Sequence, residues 1–190
     1  KEKYDLEYAL EKGVDANKLA SSLESEDIIS KLDALLRYSA DIDNIVKNID
    51  SKDINTNLDT FLKYHADIDL VVGKMEPHDI VYKLDFLFDH GANIDVNELV
   101  SKLDSTYVFR RMDFLLSHGA DIDIIVKNMD PKNIARNLDY LNKNGANIDI
   151  NQLVSNLRQE DITKNKNLNI LLQHGADVNL ITEKLSKKDI

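Results

Sequence analysis

The chain of 190 residues contains no cysteine and no tryptophan. Without cysteine, neither disulfide bonds nor thiol chemistry can contribute. This does not determine the cellular compartment of the protein, and we expect the cell interior. No apolar run approaches the ~20 residues that a membrane-spanning helix needs, so we expect no membrane segment. The N-terminal sequence KEKYDLEYALEKG has the pattern of an amphipathic helix rather than that of a signal peptide.

Motifs of catalysis are also missing from the sequence. No serine, histidine and acid share a local motif, and there is no glycine-rich phosphate loop, no HExxH and no GxSxG. We therefore expect a protein that is not an enzyme and that uses neither a cofactor nor a metal. The net charge of −10 disfavours nucleic acid as a partner, because affinity for a phosphate backbone comes largely from Lys and Arg.

What the chain does contain is one segment that recurs along its whole length. With Met112 as position 1 of the segment Met112–Asn137, the matching positions are 26 residues apart, except for one step of 28 and one of 30. A period in this range predicts a solenoid. We therefore predict an all-α, right-handed solenoid of two-helix repeats forming a single domain, with repeat starts at Leu6, Leu32, Leu58, Leu84, Met112, Leu138 and Leu168. Since neither end has a polar capping repeat, we expect the native array to be longer.

Each repeat predicts a long helix followed by a short one. Asp130-Pro131 marks the start of a long helix, since proline has no N–H to leave unpaired at the first helical position. Apolar residues then follow at i, i+4 and i+7 on one face, namely Ile134, Leu138 and Leu141. The helix is predicted to end at Gly145 in a left-handed C-cap.

The short helix is predicted to begin after an Ala-Asp-Ile-Asp sequence, with the second acid, Asp123 in the segment above, as its N-cap. Where two extra residues precede the short helix, Asn97 and Asn151 are predicted to take over as caps. Ser39 and His65 replace the C-cap glycine of the second and third repeats. Because a Cβ makes the left-handed conformation costly, we expect those corners to be looser or differently shaped.

Comparison of the repeats, position by position, predicts four sets of packed residues. Position 1 is always Leu or Met. Position 9 is mostly alanine, where the chain turns between the helices. Position 11 carries Ala16, Ile42, Ile68, Ile94, Ile122, Ile148 and Val178. Position 18 carries Leu23, Ile49, Met75, Leu103, Met129, Leu157 and Leu185.

Three of these segments carry a resemblance to a known family. LLSHGADIDI (Leu115–Ile124), FDHGANIDV (Phe88–Val96) and LLQHGADVNL (Leu171–Leu180) resemble the end of the second helix of an ankyrin repeat and the turn after it. The resemblance covers about ten residues of each repeat. It implies a stack of helix–turn–helix repeats of the protein-binding kind. In layout alone, a short helix alternating with a longer one, the chain is also similar to TAL-effector-like DNA-binding repeats.

Recurring acids and histidines allow a metal site or a structural role. Acids occupy position 2 in six repeats (Glu7, Asp33, Asp59, Asp85, Asp113, Asp139) and position 12 in five, and three histidines (His90, His118, His174) occupy position 7. We favour the structural role. Position 12 is read as an N-cap, and position 2 as a surface residue that bonds a neighbouring turn. The histidines lie in the last helical turn, where the helix dipole favours them as capping and packing residues.

The candidate binding residues lie where the repeats differ. Positions 25, 3 and 6 follow one another at i, i+4 and i+7 along the long helix and are predicted to form an exposed stripe. In three consecutive repeats the stripe combines aromatic and basic side chains, as interface hot spots do: Tyr82, Phe86, Arg110, Phe114, Arg136, Tyr140 and Lys143. The alternative is that Phe86, Phe114 and Tyr140 pack against the next long helix.

From these patterns the sequence predicts a monomeric scaffold for a protein or peptide partner. We expect it to act inside a cell, a secreted effector in a host cell being one such case. The rival hypothesis is a nucleic-acid-binding array of the TAL-effector-like layout. Such an array needs a continuous basic stripe and constant spacing. Here acids occur in every repeat, and the steps of 28 and 30 residues break the register.

Overall fold

The computed structural model describes residues 6–164 and 166–186. Over these residues all regular secondary structure is helical, with nineteen helices and no strand. The predicted all-α class is therefore confirmed. By its contacts the chain divides into two compact units, residues 1–94 and residues 95–190. None of the helices in the described ranges combines the length and hydropathy that crossing a membrane requires.

Both units consist of short helices. Those of the first unit are α1 (Leu6–Glu11), α2 (Ala16–Ala20), α3 (Ser25–Ser30), α4 (Leu32–Arg37), α5 (Ile42–Lys47), α6 (Ser51–Thr56), α7 (Leu58–Lys63), α8 (Ile68–Gly73), α9 (Pro77–Tyr82) and α10 (Leu84–Asp89). Those of the second unit are α11 (Val96–Ser101), α12 (Ser105–Ser117), α13 (Ile122–Lys127), α14 (Pro131–Arg136), α15 (Leu138–Lys143), α16 (Ile150–Asn156), α17 (Gln159–Thr163), α18 (Asn167–Gln173) and α19 (Val178–Ser186).

The predicted long helix is interrupted in most repeats, which corrects the two-helix description. Among the described residues only α12 runs without a break through that stretch, over 13 residues. At four places one residue separates two helices, as Asn137 does between α14 and α15 with φ −119° and ψ 17°. The Asn137 side-chain amide donates to the carbonyl of Asn133 at 2.9 Å, and the Asn137 backbone N–H donates to Ile134 instead. The side chain therefore takes the carbonyl that an unbroken helix would use.

The corners after these helices close in one way, whichever residue occupies them. Ser39 and His65 adopt the left-handed conformation with φ of 67° and 62°, and the glycines at the other corners have φ of 83° to 89°. The Ser39 N–H donates to Leu36 at 3.0 Å, just as the Gly119 N–H donates to Leu116 at 3.0 Å. The expected change of shape at Ser39 and His65 is therefore not found. Both residues adopt the left-handed conformation although their Cβ atoms make it strained.

Burial confirms most of the predicted core and corrects one position. All six position-9 alanines are buried, as are five residues each at positions 1 and 18. Position 11 is buried only at Ala16, because its isoleucines are half-buried and Val178 is 64% exposed. The most consistent core position is position 4, which the sequence comparison did not single out. Its residues are fully buried: Leu35, Phe61, Leu87, Leu115, Leu141 and Leu171.

The short helices are capped two residues earlier than predicted. Asp121, not Asp123, is the N-cap of α13, and its carboxylate accepts from the Asp123 N–H. Asp95 and Asp149 likewise cap α11 and α16 in place of Asn97 and Asn151. An aspartate that precedes the helix in extended conformation has its oxygen beside the free amides of the first turn, which explains the correction.

The residue two places after each cap bonds the following repeat. Within the first unit, the Asp67 N–H donates to Asp43 Oδ1 and the Asn93 N–H to Asp69 Oδ1, both at 2.8 Å. Within the second unit, Asn147 donates in the same way to Asp123 at 2.7 Å. The side chains predicted as caps therefore accept hydrogen bonds between successive short helices.

Candidate interaction surface

Some of the acids at position 2 bond side chains of the following repeat, which is the role expected of them. The Tyr64 hydroxyl donates to Asp33 Oδ1 at 2.8 Å in the first unit, and the Tyr140 hydroxyl donates to Asp113 Oδ1 at 2.5 Å in the second. These hydrogen bonds, together with the charge of the carboxylates, raise the pKa of Tyr64 and that of Tyr140, because ionisation would place two negative charges side by side. Within the described part of the chain, no three His, Asp or Glu side chains form a group that could hold a metal ion.

The histidines at position 7 make contacts of the capping and packing kind. His90 Nδ1 lies 2.8 Å from the Phe86 carbonyl oxygen, and its ring lies 4.1 Å from the Phe86 ring between centroids. His118 repeats both contacts with Phe114, at 2.8 Å and 4.2 Å. His174 differs, because its Nε2 lies 2.6 Å from Asp139 Oδ1 and joins α18 to α15.

The predicted stripe is exposed at two of its three positions. At position 25, Ser30, Thr56, Tyr82, Arg110 and Arg136 are all exposed, and at position 6 Lys143 is exposed as well. Position 3 is mixed: Ala34 is buried, Phe86 and Phe114 are half-buried, and Tyr140 is 37% exposed. The rings of Phe86 and Phe114 stack on the histidines of their own repeats, so their partial burial does not show packing against the next long helix.

The seven candidate residues fall into two groups, one in each unit. In the second unit, Arg110 and Phe114 lie on α12, Arg136 on α14, and Tyr140 and Lys143 on α15. The hydrogen bond from Tyr140 to Asp113 brings α15 to the part of α12 that carries Phe114. The second group consists of Tyr82 and Phe86 in the first unit.

Tyr82 and Phe86 line a shallow depression that we call the aromatic depression. Its volume is about 340 Å³, and its other lining residues are Asp59, Lys83 and Asp85. Sequence reasoning assigned Tyr82 and Phe86 to an exposed stripe and read Asp59 only as a structural acid. The available signal was the register, because position 2 of one repeat lies beside position 25 of the same repeat and position 3 of the next.

An equivalent depression earlier in the first unit lacks the aromatic rings. Its lining includes Lys31, Asp33 and Thr60 together with Ser30 and Ala34, and these last two stand where the aromatic depression has Tyr82 and Phe86. The two depressions thus share an acid and a lysine, Asp33 and Lys31 here and Asp85 and Lys83 in the aromatic depression. They differ in the side chains against which a ligand would pack.

Comparison of the chain with profiles of protein families, with curated proteins and with solved structures finds no significant match in any of the three.

Proposed function

We propose that the chain is a non-enzymatic helical-repeat scaffold, an α-solenoid with a period of about 26 residues, that binds a protein or peptide. The regular hydrogen bonds between successive short helices support the repeat organisation. Most of them join residues 24 positions apart, as from Asp41 to Asn17 in the first unit and from Asp121 to Asn97 in the second, and the bond from Asp177 to Asn151 joins residues 26 positions apart. The resemblance of the Gly-Ala-Asp segments to ankyrin repeats supports the same class of scaffold.

The observation that carries the binding proposal is the contrast between constant core and changing surface. Position 4 is a buried Leu or Phe in six repeats. Position 25 is exposed throughout and changes from Ser30 to Thr56 to Tyr82 within the first unit. Packing needs constrain a buried position, whereas an exposed one is free to meet the needs of a partner. Aromatic and arginine side chains at such positions have the composition of interface hot spots.

The test compares binding to a captured partner between variants of exposed and matched positions. Arg110→Ala and Arg136→Ala are the informative changes, since both side chains are exposed and their loss should leave the helices intact. If these arginines are hot spots, each change should weaken binding by at least ~2 kcal/mol, or about 30-fold. Phe114→Ala should act in the same direction, with far-UV circular dichroism to check that the fold survives.

Ser30→Ala and Thr56→Ala are the matched controls, because they alter the same repeat position in the first unit. They should change affinity by less than about twofold, the level of an ordinary surface substitution. If the partner binds with unchanged affinity after Arg110→Ala, Phe114→Ala and Arg136→Ala are combined, the binding surface does not include this stripe. A partner that proves to be nucleic acid would refute the scaffold proposal itself.

A further inference from the structure

The aromatic depression of the first unit combines features that suit a cationic side chain. Asp59 and Asp85 lie in its lining beside Lys83, and the Asp59 carboxylate can accept hydrogen bonds from a cationic group. The whole chain has a net charge of −10, so a positively charged partner is attracted at long range as well.

Tyr82 offers an open ring in this depression. It is 75% exposed. Elsewhere among the described residues, three tyrosines have a cation of the chain near the ring: Lys12 Nζ lies 5.3 Å from the Tyr8 centroid, Lys63 Nζ 5.6 Å from that of Tyr64, and Arg111 Cζ 5.8 Å from that of Tyr107. No such contact is found for Tyr82 within the described ranges.

Cations bind over aromatic faces because the ring quadrupole is negative there, and guanidinium is favoured because it is planar and weakly hydrated. A neighbouring carboxylate adds directional hydrogen bonds to the same group. Phe86 is half-buried and held by its stacking on His90, so it gives the depression a fixed apolar wall. The equivalent depression beside Ala34 and Thr60 has the acid without the rings.

We propose that the aromatic depression binds an arginine side chain of a basic peptide partner, with the guanidinium over Tyr82 and its N–H groups directed to Asp59. This rests on the proposed function and specifies the chemistry of the partner. In this arrangement Lys83 opposes binding, because it places a like charge in the lining of the same depression.

The test is an NMR titration of the full chain with a short blocked peptide containing one arginine between glycines. The control peptide replaces arginine by citrulline, which has the same shape without the charge. We expect the arginine peptide to shift the amide resonances of Tyr82, Phe86 and Asp59 saturably, with weak affinity, and the citrulline peptide to produce little change. Equal shifts from both peptides would refute the proposal.

Variants sharpen the test, because all of the changed side chains lie at the surface. Tyr82→Ala and Asp59→Asn should each weaken binding of the arginine peptide by ~2- to 5-fold, the range for an exposed cation–π or charge contact. Lys83→Gln should strengthen it by a similar factor. Tyr8→Ala is the matched control and should leave affinity unchanged. If Tyr82→Ala has no effect, the ring is not part of a site.

The outcome is separable from that of the proposed function. Failure of the arginine peptide to bind, with partner binding still lost on Arg136→Ala, would refute the arginine site and retain the scaffold. Saturable binding of the peptide that is lost on Tyr82→Ala, without any effect of Arg110 or Arg136 on the partner, would retain the site and refute the stripe of the second unit.

Discussion

Replacing Leu138 with alanine tests whether stability in this protein is local. Leu138 is the first residue of α15, is 0% exposed, and belongs to a helix that packs against α14 and α18. Truncating a fully buried leucine removes transfer free energy and leaves a cavity, which together cost ~2–5 kcal/mol. In an array where each repeat contacts only its neighbours, most of that cost is felt nearby.

The matched control is Leu168→Ala, at the same repeat position in α18. Leu168 is only half-buried, so the same change should cost about 1–2 kcal/mol. Urea denaturation followed by far-UV circular dichroism would give both free energies of unfolding. Equal costs at Leu138 and Leu168 would show that burial in the folded state does not set the energetic effect.

Hydrogen exchange followed by mass spectrometry locates the effect of Leu138→Ala. We expect loss of protection in α14, α15 and α18, and smaller changes in α1 to α8. Uniform loss of protection over residues 6–186 would contradict the nearest-neighbour reasoning and, with it, the proposed solenoid. A variant that only lowers the urea midpoint, with no regional pattern, would lead to the same conclusion.

Three further outcomes follow from particular contacts. Ser39→Gly should raise the free energy of unfolding by about 0.5–1 kcal/mol, because glycine removes the strain of a left-handed Cβ but loses more entropy on folding; thermal or urea denaturation measures it. The hydrogen bond from Arg158 lowers the pKa of the buried Asp161 carboxyl. The pair therefore stabilises the fold at pH values above the ordinary aspartate pKa, and this stabilisation is lost as the pH falls through the lowered pKa. Arg158→Ala should therefore cost about 1 kcal/mol at neutral pH, since the arginine is largely exposed, and progressively less in acid, as urea denaturation at a series of pH values would show. Because the pKa of Tyr140 is raised, its bond to Asp113 stabilises the fold below the ordinary tyrosine pKa and is lost as pH rises through the folded value. Tyrosinate absorbance should show two late-titrating hydroxyls, those of Tyr64 and Tyr140, because both pKa values are raised; the one assigned to Tyr140 disappears in Tyr140→Phe and titrates earlier in Asp113→Asn.

The sequence was sufficient for those features that depend on local chemistry repeated many times. Glycine or its substitutes mark corners because only the left-handed conformation reverses the chain there, and Ser39 adopts it despite its Cβ. Alanine at position 9 marks close approach, and every such alanine is buried. The helical class follows from the same patterns, since apolar residues at i, i+4 and i+7 favour helices.

The tertiary structure decided what depends on neighbours from other repeats. Asp123 looks like an N-cap in sequence, yet it accepts from Asn147, a residue of the next repeat. Asp59 looks like any other position-2 acid until folding places it beside Tyr82. Periodicity identifies which face of a helix a residue occupies, but the partner on that face is set by how successive helices pack. The composition of each depression therefore could not be derived from a single repeat.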